Sequence, residues 1–169
     1  MILSVFLFFI TACQESSTDE SSSEGNLLIY TSVYPLEFIV DEIAKDVATV
    51  KSVYPPGVDA HTYEPSSKEI TDIARSDAFI YLGAGMESFS ESIAESLSAY
   101  DILFIEIGQH EQLFLESSHG EHHHDDHHHR DFDPHIWLDP LRMIDVAEIV
   151  TTQLSELDPD NQTFFEQNF

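Results

Sequence analysis

The chain has 169 residues, with six basic side chains against 32 acidic ones and a formal net charge of −26. That balance repels nucleic-acid phosphates and anionic lipid head groups and attracts cations, although acidity alone also serves plain solubility outside the cell. A single cysteine excludes an internal disulfide, so an exported domain of this sequence must stand on its hydrophobic core.

Residues 1–12 form an apolar run too short to cross a bilayer as a helix, which takes about 20 residues, and they read as a secretory signal sequence. Ile10-Thr-Ala-Cys13 resembles a bacterial lipobox, where cleavage before the cysteine accompanies lipid attachment to its sulfur. Cys13 is therefore the expected lipidation site, with the mature protein lipid-anchored to the bacterial cell membrane on its extracytoplasmic side. The rest of residues 13–26 is almost wholly polar and acidic and reads as a disordered tether. Folding is expected to begin at Leu27.

From there short apolar runs alternate with helical patterns. Leu27 to Ser32 reads as a buried strand, and Pro35 to Lys45 as a helix with an apolar stripe at Leu36, Ile39, Val40, Ile43 and Ala44. Val50 to Tyr54 is the second expected strand. Ser66-Ser-Lys-Glu69 has the form of a capping box opening a helix through Ile70, Ile73 and Ala74. Ala78 to Leu82 is the third strand, Met86 to Ala99 a helix, and Ile102 to Ile107 the fourth strand. Asp139-Pro140 supplies an N-cap and a proline at the first turn of a helix running from Leu141 to Leu157. Strands separated by helices of this length pair in parallel through right-handed crossovers. The expected fold is thus α/β, a four-stranded parallel sheet with helices on both faces. Ligands of such sheets gather beyond the C-terminal strand ends.

Nine of the ten histidines lie between Gly108 and Asp139. Within the loop assigned to residues 109–130, His119, His122, His123, His124, His127, His128 and His129 alternate with acidic residues. This composition suits a metal-attracting tract whose lack of fixed geometry leaves the ion unselected; the alternative is a solvated polar insertion. A selective site has to lie elsewhere. The two remaining segments of interest are Pro55 to Pro65, which contains His61, and Asp133 to Pro140, which contains His135. Both fall at the C-terminal edge of the expected sheet. Neutral imidazole suits borderline ions such as Zn²⁺, so the pair is a candidate metal site, against the alternative that each ring bonds only to its own loop. Asp59 and Glu64 are candidates to orient His61, with loop or helix capping as the alternative, and Asp139 reads as a helix cap. Trp137 and the phenylalanines read as core.

Taken in order, Pro56-Gly-Val-Asp-Ala-His61-Thr-Tyr-Glu-Pro65, a histidine-rich loop and Asp133-Pro-His135-Ile-Trp-Leu-Asp-Pro140 resemble the metal-binding lipoproteins of bacterial zinc and manganese ABC importers, the cluster A-I solute-binding proteins. The resemblance implies two similar α/β lobes joined by a long helix, with metal held between them. It assigns His61 and His135 as the first two metal-binding histidines and implies a third histidine and a carboxylate or water from the second lobe. On this reading residues 27–157 are the N-terminal lobe and 158–169 open the connecting helix. The second lobe is absent, as in a fragment or a truncated reading frame. The histidine-rich insertion resembles the zinc-specific branch, which implies Zn²⁺ rather than Mn²⁺ as the transported ligand and a membrane permease of an ABC importer as the partner. Binding is expected to weaken in acid, since a protonated imidazole has no lone pair to give. A surface metal-buffering or adhesin lipoprotein is the alternative. A metal-dependent hydrolase is disfavoured because the chain has no His-Glu-x-x-His helix and no nucleophile motif; no enzymatic activity is expected.

Overall fold

A computed structural model describes residues 26–87, 89–114 and 133–169. The expectations placed on Cys13, on the rest of residues 1–25 and on His119, His122, His123, His124, His127, His128 and His129 lie outside the described residues.

Four strands form one parallel sheet in the order β2-β1-β3-β4: β1 Leu27–Thr31, β2 Ala48–Ser52, β3 Ala78–Tyr81 and β4 Leu103–Glu106. The helices between them are α1 Tyr34–Ala44, α2 Ser67–Ile73 and α3 Ser90–Ser96; α4 Pro140–Leu157 and α5 Gln162–Asn168 follow. The chain steps from β1 outward to β2, then back across to β3 and on to β4. Right-handed crossovers therefore put α1 on one face and α2 and α3 on the other. Helices α4 and α5 pack on α1, and Asn168 ties the end of α5 to α1 by donating to the carbonyl of Ile43 at 2.8 Å.

The core follows the sequence periodicities. All five apolar residues of the α1 stripe are buried, which is what a 3.6-residue repeat facing a sheet requires. Every residue of the central strand β3 is buried as well, since it is covered on both faces. Phe165 of α5 is fully buried, beside Val146, Val150 and Leu154 of α4 in the same core. The phenylalanines do not all join it: Phe38, Phe164 and Phe169 are exposed. With Tyr34, Leu138, Leu141 and Ile144 the exposed large apolar residues concentrate around α1 and the start of α4.

Two elements start two or more residues away from the sequence expectation, and α3 also ends at Ser96 rather than Ala99. Strand β2 begins at Ala48 rather than Val50, because Lys45, at φ 45°, leads directly from α1 into a tight 3-10 turn that delivers the chain to the sheet. Its pairing nonetheless reaches the expected end, with Val53 N–H donating to Thr31 C=O at 2.8 Å and Tyr54 N–H to Ser32 C=O at 3.4 Å. Helix α3 begins at Ser90 rather than Met86. The residues before it turn sharply through Gly83, Ala84 and Gly85, all at positive φ, a conformation foreign to a right-handed helix. At Gly83 a side chain would also run into Glu106.

That turn is closed by Glu87, whose buried carboxylate accepts the N–H groups of Leu82 at 3.1 Å and Gly83 at 2.7 Å and the hydroxyl of Ser32. It thereby fills the crevice between the C-terminal ends of β1 and β3, where the crossover direction reverses. Burial pushes the Glu87 carboxyl above its ordinary pKa, against the pull of its hydrogen-bond donors.

Candidate metal site

His61 is carried by the loop from β2 to α2. Asp59 Oδ1 accepts the backbone N–H of His61 at 2.9 Å, while the Asp59 carbonyl accepts the N–H groups of Thr62 at 3.2 Å and Tyr63 at 3.0 Å. Asp59 thus closes the turn on its own backbone, as short polar side chains do, and leaves the His61 ring free to face outward. Glu64 is exposed. Two tyrosines hold this loop from beneath: Tyr54 donates its hydroxyl to the carbonyl of Ala60 at 2.8 Å, and Tyr63 donates to Glu69 at 2.7 Å. Glu69 is also the third helical residue of the expected capping box, in which Ser66 Oγ and the Glu69 carboxylate each accept the other's backbone N–H. Burial and the Glu69 carboxylate push the Tyr63 phenol up to about 12.

His135 stands just before α4. It is followed by one 3-10 turn, Ile136–Leu138, anchored by the buried Ile136. Asp139 then caps α4 by accepting the N–H of Leu141 at 2.9 Å, as expected of Asp-Pro. Asp133 makes two contacts with His135: its Oδ1 accepts the backbone N–H at 3.0 Å and lies 2.7 Å from the ring Nδ1. These bonds, the backbone one foremost, hold the Asp133 carboxyl below the usual carboxylate range. With Nδ1 engaged, Nε2 is the nitrogen left to face a ligand.

The rings of His61 and His135 come together, their centroids 5.6 Å apart at an interplanar angle of 64°. A metal bonded in the ring plane at about 2.0–2.1 Å from nitrogen lies roughly 3.2 Å from the ring centre, so two imidazoles at a tetrahedral angle have centroids about 5.2 Å apart. The observed spacing is within a few tenths of an ångström of that figure. Trp137 is half-buried against the core, and its ring lies 5.2 Å from that of His135, edge to face. It is both core and site wall.

Among the described residues no group of three or more His, Cys, Asp or Glu side chains is placed to hold a metal. The histidine pair offers two of the four ligands that a closed zinc site takes. Asp133 was not singled out by the sequence reading, yet the signal for it was present: Asp59-Ala-His61 and Asp133-Pro-His135 repeat one Asp-x-His pattern, and in both the aspartate caps the histidine's backbone N–H.

A family model described as ZnuA, the periplasmic zinc-uptake complex component A, matches residues 29–169. The chain is 31% identical over 172 residues to the zinc-binding lipoprotein AdcA of Streptococcus pneumoniae, aligning over 99% of this chain and 33% of that protein. It is 33% identical over 173 residues to the high-affinity zinc uptake system protein ZnuA of Bacillus subtilis, over 99% of this chain and 54% of its relative. In three dimensions it superposes on the crystal structure of the Zn(II)-bound ZnuA-like domain of S. pneumoniae AdcA with a TM-score of 0.71 at 30% identity, covering 85% of this chain and 49% of that one. The chain thus spans between a third and about half the length of these proteins.

Proposed function

The chain belongs to the family of periplasmic zinc-uptake complex A components, and from that premise we propose that it captures Zn²⁺ outside the cytoplasm for delivery to an ABC-type metal importer. The observation that carries this reading is the approach of His61 and His135 at the C-terminal edge of the sheet, at a spacing suited to a shared tetrahedral ion. Each imidazole would give one nitrogen to the metal, and Asp133 would hold His135 in the ring orientation that presents Nε2. The remaining ligands come from outside this pair, from a second lobe where the longer relatives have further chain. His119, His122, His123, His124, His127, His128 and His129 would gather the ion ahead of this site, and Cys13 would anchor the protein to the membrane that holds the permease. The role is binding and hand-over, with no bond made or broken in a substrate.

Calorimetric titration with Zn²⁺, and with Mn²⁺ in parallel, of the chain and of its His61→Ala/His135→Ala double variant tests the reading. The expected result is a class of zinc sites present in the parent and lost in the double variant. A double variant that titrates like the parent would overturn it and leave the loop as a metal buffer.

A further inference from the structure

His61 stands on an exposed loop, and neither of its backbone neighbours is in regular structure. What keeps it within reach of His135 lies underneath. Tyr54 is almost fully buried at the end of the β2 pairing. Its ring meets Phe89, at the start of α3, edge-on at 5.5 Å, and Tyr63 at 5.1 Å. Its hydroxyl is bonded to the carbonyl of Ala60, the residue immediately before His61. Tyr63, two residues after His61, closes the same cluster against Phe89 at 6.4 Å and is held by Glu69. The loop is thus pinned on both sides of the histidine; Asp59 shapes the turn from within the loop, and the upstream tie from the loop to the sheet is the neutral hydrogen bond from the packed Tyr54 ring.

We infer that Tyr54 is a positioning residue for metal capture: through Ala60 it holds His61 at the distance from His135 that lets one ion bridge both rings. This rests on the reading of His61 and His135 as ligands. The two rings are held by different elements, one loop after β2 and one turn before α4, so their separation is only as fixed as the weaker support. An ångström of drift in the peptide joining Ala60 to His61 is enough to spoil a bond whose tolerance is about 0.2 Å. Loss of the phenol hydroxyl leaves the aromatic packing in place and leaves that peptide held only by Asp59, a residue of the same loop.

Tyr54→Phe in the full chain tests this, with His61→Ala as the benchmark. Trp137, the only tryptophan of the chain, lies against His135, so its fluorescence reports filling of this site; repeating the titration after deletion of Ser118 to Arg130 separates that signal from zinc held by the histidine-rich loop. Co²⁺ as a probe metal adds a d–d absorption spectrum sensitive to ligand geometry. Tyr54→Phe is expected to weaken the Trp137-detected zinc affinity about tenfold, the lower end of what loss of a ligand-orienting partner costs, and to alter the Co²⁺ bands, while far-UV dichroism stays that of the parent. A variant with the parent's zinc affinity and Co²⁺ spectrum, even one with a lowered urea midpoint, would reduce Tyr54 to a stabilising residue and overturn the inference. If His61→Ala itself leaves the Trp137 titration unchanged, the ligand assignment fails and the inference with it. The two failures are told apart by that benchmark.

Discussion

Asp133 Oδ1 lies 2.7 Å from Nδ1 of His135 and 3.0 Å from the backbone nitrogen of the same residue, so one carboxylate oxygen fixes both the main chain and the ring. The aspartate itself is largely exposed, and its worth lies in orientation rather than in stability. Asp133→Ala is expected to leave the urea midpoint close to that of the parent and to lower zinc affinity at the His61/His135 site about tenfold, read by Trp137 fluorescence. An unchanged affinity would show that the ring finds its orientation without this bond.

Deletion of Ser118 to Arg130 separates gathering from holding. Total zinc stoichiometry, measured by calorimetry, is expected to fall in the deletion, while the class of sites that depends on His61 and His135 persists. Its disappearance in the deletion would mean that the loop histidines complete the site themselves.

The raised pKa of the Glu87 carboxyl gives a signed pH dependence. A group held above its unfolded value binds its proton more tightly in the folded state, so its contribution to stability is full below the ordinary glutamate value of 4.5 and is lost as pH rises through the elevated one. Glu87→Gln removes this titration and turns amide hydrogens toward the N–H groups of Leu82 or Gly83, costing about 1–3 kcal/mol. The melting temperature of the variant is therefore expected to lie below the parent's by a gap that is widest in acid and narrows as pH rises. A gap that widens with pH would mean that the three donors outweigh burial.

Ser66→Ala removes one half of the capping box and is expected to lower stability by about 1 kcal/mol in urea unfolding. Zinc affinity should follow Tyr54 rather than Ser66, because Glu69 keeps its bond to Tyr63.

The parts of this architecture that could be read from the chain are those governed by local periodicity. The α1 stripe, the Ser66 capping box and the Asp139-Pro140 helix start each depend on residues within a turn of one another, and each appears where expected. The late start of α3 depends on Glu87 reaching back to a strand end and to Ser32, a contact 55 residues away in sequence, which no window of the sequence contains. The same holds at the site. The histidines stood out because they are few outside the loop, whereas Asp133 was one of 32 acidic residues and became distinct only once its oxygen was seen on the ring of His135. The support from Tyr54 was invisible for a similar reason: a tyrosine at the end of a strand looks like core until its hydroxyl is found on Ala60.

The crevice between β1 and β3 is the position at which doubly wound sheets commonly receive the phosphates of a nucleotide, on backbone N–H groups left open for them. Here the N–H groups of Leu82 and Gly83 are already spent on an internal anion. A phosphate arriving at this crevice would have to evict a carboxylate that is covalently part of the chain and 1% exposed. The fold is closed to its customary guest, and in the function proposed above selectivity passes outward to the two histidine loops, whose imidazole lone pairs suit a guest of opposite sign.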